Sequence, residues 1–447
     1  MLGEKHARTL LEGALSACEA DQAEVLLVAE DSALTRFANN TIHQNVAERN
    51  ASLQVRAVVG KRIGVASTNS LSAEPVRRAA ESACAMARFS EEDPQFVSLP
   101  GPSGAIAPLP GTYAEATAAA TPAQRARAVR AIIRRAKDDR LVAAGAFSTS
   151  EIEMAVANSL GTFAHHAATS AEANVVVMGD TSTGYGDRAG VDVKDVDVEA
   201  LAVEACGRAV RSANPRPIEP GEYAVVLEPY AVAEMLDYLS YVGFGALQLE
   251  EGRSFMAEKM GHKVAGEGIT IYDDGLDPRC FGLPFDFEGV PKRRVDLIVD
   301  GVARGVVYDS YTAGKQGVAS TGHALPAPNT MGPLPGHLHL QPGDRTLEQM
   351  VAEMDRGVLV SRFHYVNVIH PLETTITGMT RDGTWWVENG EIRYPIRNLR
   401  FSQSVLGALS SVRSVGREVK LQRGWFGGSL VPALSLDRFT FTGKTEF

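Results

Sequence analysis

Apolar residues at Leu10, Leu11, Ala14, Leu15 and Cys18 recur at helical spacing and predict an opening helix. The pattern then shortens. Val25 to Ala29, Leu34 to Ala38, Thr41 to Val46, Leu53 to Val59 and Arg62 to Ala66 read as successive strands, and Leu53, Val55, Ala57 and Val59 alternate as one buried face should. Asn39-Asn40 tolerates left-handed backbone, and Gly60-Lys61 suits a tight hairpin. A second helix is predicted from Ser72, its N-cap, through Pro75 in the first turn, burying Val76, Ala79, Ala80, Ala83 and Cys84.

From Pro94 to Gly111 the chain is rich in proline, glycine and serine, which marks a linker and a domain boundary. Thr121-Pro122-Ala123-Gln124 opens a helix to about Asp138 with a capping box and proline at its first position. Short strands follow around the turn Asn158-Ser159-Leu160-Gly161. Gly184-Tyr185-Gly186 lacks the GxGxxG or GK[ST] context of a phosphate loop and reads as a flexible loop. Asp197 caps a helix in which Leu201, Ala205 and Val210 face inward, and Asn214-Pro215 ends it.

Gly221 to Leu227 is a strand, and Tyr230 to about Tyr241 is a helix that spaces Ala233, Leu236 and Leu239 or Ser240 on one face. Asp300-Gly301 lies between the β-branched runs Val295 to Val299 and Val302 to Tyr308, a hairpin signal. Beyond Ile269 the chain reads mainly as strand, interrupted by a helix at Thr346 to Arg356 with Leu347, Met350, Val351 and Met354 as its stripe. Asp382-Gly383 and Asn389-Gly390 supply two further hairpin turns. The expectation is an α+β protein: an N-terminal α/β domain of mainly antiparallel strands, then a large C-terminal domain dominated by antiparallel β-sheet. Three regions are expected: 1–110, with the linker, a middle α/β region at 111–215, and a C-terminal region at 216–447.

With 447 residues the chain exceeds the roughly 250 to 300 that one core supports. Its 45% hydrophobic and 22% charged residues are ordinary for a globular protein. No apolar run approaches a membrane span, and Glu4 and Lys5 interrupt the place of a signal peptide, so no membrane partner and a cytoplasmic location are expected. A net charge of -10, with no basic block longer than Lys292 to Arg294, argues against nucleic acid. Cys18, Cys84, Cys206 and Cys280 show no CxxC spacing and read as small buried hydrophobes.

Polar chemistry is densest from Asp286 to His323. The basic triplet Lys292-Arg293-Arg294 precedes the hairpin, and Lys315 and Ser320-Thr321-Gly322-His323 follow it, furnishing its open ends with groups able to hold a carboxylate or a peptide backbone. No HExxH-type helix is present, and no GxSxG elbow surrounds Ser320 or Ser254. His337 and His339 share a strand-like spacing in a stretch that reads as a loop, with His323 and His364 as conceivable companions for a metal. Glu250-Glu251 and Asp273-Asp274 are adjacent and do not face one another, and Asp273-Asp274-Gly275 reads as a turn. In Arg253-Ser254 an arginine could clamp a carboxylate while the hydroxyl supports it.

Together these pieces resemble the TldD/PmbA family. The resemblance runs through Val58-Val59-Gly60 to Ala66-Ser67-Thr68-Asn69, Asn158-Ser159-x-Gly161, Asn214-Pro215 to Gly221-Glu222-Tyr223, and Val226-Leu227-Glu228-Pro229. It continues through Gly252-Arg253-Ser254, Asp273-Asp274-Gly275, Glu288-Gly289-Val290-Pro291 with Arg293 and Arg294, and Asp300-Gly301. Ser320-Thr321-Gly322-His323, Arg356-Gly357 and Val387-Glu388-Asn389-Gly390 complete it. The resemblance implies a two-subunit cytosolic metalloprotease in which related chains enclose a cavity and digest unfolded or leader-type peptides. In the metal-bearing TldD type the helix after the VVL strand holds HExxxH, and a cysteine near the C-terminus completes the zinc site. Here that helix, from Tyr230 to Leu239, has no histidine, and Cys280 lies far from Gly424 to Gly428.

The departure implies the TldE/PmbA type: no catalytic residue and no metal ligand in this chain, zinc in a TldD-type partner, and a peptide substrate. Candidate substrate-binding residues are Arg253, Ser254, Arg293, Arg294, Thr321 and His323. One alternative is a homodimeric scaffold that holds a peptide or small ligand without proteolysis. Another is an autonomous hydrolase with a metal on His323, His337 and His339.

Overall fold

The computed structural model describes residues 1–102, 104, 106–424 and 427–445. The opening helix, α1 (Glu4–Ser16), leads into three long antiparallel strands, β1 (Gln22–Ala38), β2 (Thr41–Val59) and β3 (Arg62–Thr68), and then α2 (Ala73–Phe89). After the connection at 94–111, in which Ser103 and Ala105 lie outside the described residues, come α3 (Glu115–Ala118) and α4 (Pro122–Asp138). Three more strands follow, β4 (Val142–Asn158), β5 (Phe163–Met178) and β6 (Thr183–Gly190), and then α5 (Val198–Arg211). All six strands form one sheet in the order β3-β2-β1-β4-β5-β6. Because β1 pairs with both β2 and β4, residues on either side of 94–111 share that sheet.

The two faces of this sheet differ. Val25, Leu27, Leu53, Val55 and Ala57 pack beneath α1 and α2, and Phe37, Phe147, Ala173 and Val175 pack beneath α4 and α5. On the opposite face Leu26, Met154, Val156 and Ala164 meet Phe285 of the C-terminal region. That second contact explains why Glu153 to Asn158 are buried without alternation, as in any strand covered on both sides.

Several elements outrun or undercut their sequence signals. Glu30-Asp31-Ser32 and Glu48-Arg49-Asn50 do not break their strands: β1 and β2 stay paired through Asp31 opposite Arg49, joined by a 2.7 Å ion pair. Gly184-Tyr185-Gly186 is no flexible loop but lies within β6. A Cβ at Gly184 would sit 2.1 Å from the Ala205 carbonyl oxygen, so the glycine permits α5 to lie against the strand. Val210 is exposed, while Cys206 takes the inward position. The α4 capping box forms as expected from Thr121 and Gln124, and Ser72 occupies its N-cap position without a side-chain capping bond. Cys18 and Cys84 bring their Sγ atoms to 2.7 Å.

The remainder begins with β7 (Gly221–Leu227), α6 (Pro229–Gly243) and α7 (Ala246–Glu250). Next come β8 (Ile271–Asp273), β9 (Val295–Val299), β10 (Val302–Ala303), α8 (Ser310–Gln316), β11 (His337–Leu340) and α9 (Leu347–Ala352). Then follow β12 (Arg356–His370), β13 (Thr375–Glu388), β14 (Glu391–Pro395), β15 (Leu399–Ser404), α10 (Val405–Leu409), β16 (Val412–Val415), β17 (Lys420–Arg423), β18 (Gly428–Val431) and β19 (Leu434–Lys444). One sheet runs β10-β9-β8-β11-β18-β17, and another runs β12-β7-β19-β15-β13-β14. Pairing of β12 with β13 closes the second into a ring, within whose core Phe363 stacks on Phe439 and Phe401 packs against both at an angle. The α+β expectation is met. Pairing is largely antiparallel, with β12–β7 and β11–β18 parallel.

Asp300-Gly301 turns the β9–β10 hairpin, but β10 stops at Ala303 and not at Tyr308. The Arg304 and Gly305 amides both turn to the Leu297 carbonyl, and Val307 pairs with Gly245. Asn389-Gly390 turns β13 into β14, whereas Asp382-Gly383 makes no hairpin. β13 runs straight through it as a bulge opposite Val360 and Arg362, and the Asp382 carboxylate accepts from Arg362 at 2.5 Å. The helix expected at Thr346 to Arg356 spans only α9, and the stretch read as a loop around His337 and His339 is strand β11.

Candidate functional site

Strand β7 delivers Glu228 and Pro229 to the N-terminus of α6, where proline at the first position suits helix entry. The helix is apolar on almost every side. Among its polar residues Glu234, Asp237, Tyr238 and Tyr241 have i, i+3, i+4, i+7 spacing, which puts them on one stripe. Burial pushes Glu234 up to about 7 against the opposing pull of Arg362, and burial with the neighbouring Glu234 charge pushes Asp237 up to about 7. Asp237 accepts from Ser429 Oγ at 3.3 Å. Between them and Ser240, Pro335, Gly336 and Gly424 is a cavity of about 20 Å³, room for about one water.

Beside this stripe a buried ionic network joins the first sheet to the C-terminal region. Arg208 of α5 pairs with Glu204 and Glu228, and Arg188 reaches Glu204 at 2.6 Å. Lys420 of β17 lies 3.3 Å from Glu204 and 3.9 Å from Asp187 and contacts the Tyr230 hydroxyl. Gln422 donates to Asp187 at 3.1 Å. Burial would raise Glu204, but Arg208, Lys420 and Arg188 hold it down at about 2, and burial lowers Lys420 to about 8. Arg362 stacks over Tyr185, 4.1 Å from the ring centre, and closes the network towards Glu234.

The six residues singled out from sequence are dispersed. Arg253 is exposed and bonded to Glu251, its Nε donating at 2.7 Å. Ser254 is buried, donating to the Gly243 carbonyl at 2.7 Å and accepting from the Met256 amide at 3.0 Å. Arg293 is exposed, with the Ala319 carbonyl 3.4 Å away, and Arg294 pairs with Asp296 at 3.0 Å above the Tyr272 ring. Thr321 and His323 are interior. The Thr321 hydroxyl accepts from the Tyr308 amide at 2.7 Å and lies 2.8 Å from His323 Nδ1, and His323 Nε2 lies 2.7 Å from Asp273. Asp273, expected in a turn, ends β8 and also accepts from the Gly336 and His337 amides, at 2.9 and 2.7 Å. The remaining histidine, His339, is held by the His337 carbonyl at 2.9 Å and Asp277 at 3.3 Å. Among the described residues no group of three or more His, Cys, Asp or Glu side chains converges as metal ligands do.

Sequence reasoning passed over Glu234 and Asp237, although two acids in an otherwise apolar helix were a legible signal. It also passed over Arg208, Glu228, Lys420 and Asp187, which pair across distant segments and leave no local trace.

The comparisons with known proteins agree along the chain. Residues 23–87 match the PmbA/TldA metallopeptidase domain 1, 114–213 its central domain and 220–443 its C-terminal domain. The chain belongs to the PmbA/TldD family. The chain is similar to TldE from Thermococcus kodakarensis, with a TM-score of 0.89 and 25% identity over 98% of this chain and 99% of that one. It is 24% identical to the metalloprotease PmbA of Escherichia coli O157:H7 over 84% of this chain and 83% of that protein. A metalloprotease of Methanothermobacter thermautotrophicus is 28% identical over 52% of this chain, and the match spans about half of that relative's length, 51%. Among the described residues no helix is long and apolar enough to cross a membrane.

In a metallopeptidase family the test is whether α6 can hold zinc. A catalytic zinc takes three protein ligands, imidazole or thiolate in most sites, and keeps one open position. The polar stripe of α6 offers two carboxyl groups near neutrality and no imidazole, and the Cys280 thiol donates to the Gly428 carbonyl at 2.9 Å. These residues do not fit a zinc site. Trp425 and Phe426, within the compared stretch 424–428, lie outside the described residues.

Proposed function

We propose that this chain is the TldE/PmbA-type subunit of a two-chain cytosolic metallopeptidase acting on unfolded or leader-type peptides. Its zinc belongs to a TldD-type partner, and this chain supplies cavity wall and peptide-holding groups. The observation that carries the reading is the donor set of α6: the helix stands at the position discussed above, bears Glu234 and Asp237, and has no histidine. The full-length likeness to a TldE structure supports the same assignment. Arg253, Arg293 and Arg294 are the exposed groups available to substrate carboxylates or carbonyls, while Ser254, Thr321 and His323 hold the framework behind them. Affinity purification of the tagged chain from its native cell, read by mass spectrometry, tests the pairing. A co-purifying homologue with HExxxH on the corresponding helix is expected. Recovery of this chain alone, as a homodimer, would favour a scaffold without proteolysis.

A further inference from the structure

A cavity of about 840 Å³ opens between β3 and the end of α2 on one side and the start of α8 on the other. That is the size of a small-ligand site. Val65, Phe96 and Leu247 give it apolar walls, and the exposed side chains of Met86 and Phe89 carry that apolar surface out to solvent.

The polar wall is acidic. Glu288 and Asp309 line it with Arg56, whose one terminal nitrogen lies 2.7 Å from Glu24 and 2.8 Å from Glu288. Arg56 is therefore committed to two carboxylates. The other Glu288 oxygen accepts from the Ser310 amide at 3.1 Å, and Asp93, also in the wall, accepts from the Gln95 amide at 2.9 Å.

Asp309 is only 7% exposed and caps α8 through Oδ1, which accepts from the Thr312 amide at 2.8 Å and the Thr312 hydroxyl at 2.6 Å. Its Oδ2 has no hydrogen-bond partner among the described residues. Unlike the unpartnered atoms of the deep interior, Oδ2 is not sealed off: it keeps solvent-accessible surface in a side chain that lines the cavity. Burial, and after it the Glu288 charge, push Asp309 above its ordinary value, as expected of a carboxyl group short of a positive partner.

The free oxygen selects among cations. Among the described residues no group of three or more His, Cys, Asp or Glu side chains could hold a metal ion, and a guanidinium would seek two parallel oxygens where Asp309 has one to give. A primary ammonium needs only one. Borne on an apolar residue, it matches both the acid and the walls.

We infer that the cavity binds the amino-terminal apolar residue of a peptide, its ammonium at Asp309 Oδ2 and its side chain against Val65, Phe96 and Leu247. The same ammonium ends a lysine side chain, on a longer stem. The choice of a peptide end rests on the function proposed above, whereas the ammonium site does not, and binding by the isolated chain is read without partner or zinc.

Calorimetric titration of the purified full chain with Leu-Ala-carboxamide, its N-acetyl derivative and Nα-acetyl-lysine carboxamide tests the assignment. The free dipeptide amide is expected to bind at least about tenfold more tightly than its acetylated form, since one charge-assisted contact is worth about that factor. Asp309→Asn keeps a side chain able to cap α8 and should remove that preference. Val65→Trp should abolish binding by filling the cavity while the thermal midpoint confirms a folded chain. Equal binding of the free and acetylated forms, a preference that survives Asp309→Asn, undiminished binding by folded Val65→Trp, or no binding of any probe would overturn the site. Tighter binding of the lysine probe than of the dipeptide amide would overturn the amino-terminal residue as its ligand. None of these outcomes depends on whether a TldD-type partner exists.

Discussion

The imidazole of His323 and the carboxylate of Asp273 meet at 2.7 Å with both side chains fully removed from solvent. Burial alone would raise Asp273, but His323, Lys292 and the amides of Gly336 and His337 hold it far below the usual carboxylate range. This pair ties β8, β11 and the segment after α8 into one unit. Asp273→Asn presents an amide where three donors converge, and a loss of about 2–4 kcal/mol is expected in urea unfolding. A change below about 0.5 kcal/mol would assign the pair no structural role.

Glu234 and Asp237 predict a pH dependence. Each carboxyl stands at about 7 in the fold against ordinary values near 4. Folding therefore takes up protons between those values, so their contribution is fully present below about pH 4 and is lost as pH rises through 7. The double variant Glu234→Gln, Asp237→Asn should be the more stable protein at pH 8, on the order of 1–2 kcal/mol. Its unfolding midpoint should also fall less between pH 5 and pH 8. Parallel pH profiles for the two proteins would contradict the burial argument.

Arg208 predicts an asymmetry. Removing it takes from the buried Glu228 the cation paired with it and leaves Glu204 to Arg188 and Lys420. Arg208→Met should destabilise by about 3–5 kcal/mol, and Arg208→Met with Glu228→Gln should recover a substantial part of it. Denaturant titration of both variants checks the ordering, and an equal or larger loss in the double variant would refute it.

Gly184 separates a packed strand from a flexible loop. Gly184→Ala places a Cβ against the Ala205 carbonyl and should lower stability by about 1–3 kcal/mol. The same substitution at Gly268, where φ is +82° and nothing lies within 4 Å, tests backbone strain without a clash. A neutral Gly184→Ala would return that segment to a loop.

What sequence made legible was local. Thr121 and Gln124 announced their capping box, Asn389-Gly390 its hairpin, and Leu53, Val55 and Ala57 their buried face, because each signal lies within a few residues. Asp382-Gly383 misled because a left-handed dipeptide serves a bulge as well as a turn, and only the buried Arg362 partner on another strand distinguishes them. His323 drew notice for its polar chemistry, and its neighbours in sequence gave no sign that Asp273, fifty residues away, would enclose it. Arg56 and Glu288 come together only through packing of the first sheet on the C-terminal region.

In the proposed assembly this chain carries no zinc chemistry of its own. Metal analysis of the purified chain, with peptide cleavage assayed on the same sample in the presence and absence of a HExxxH-bearing partner, tests it most directly. Substoichiometric zinc and no cleavage are expected from the chain alone, with chelator-sensitive cleavage once the partner is added. One zinc per isolated chain together with chelator-sensitive cleavage would contradict the assignment of the metal to a partner.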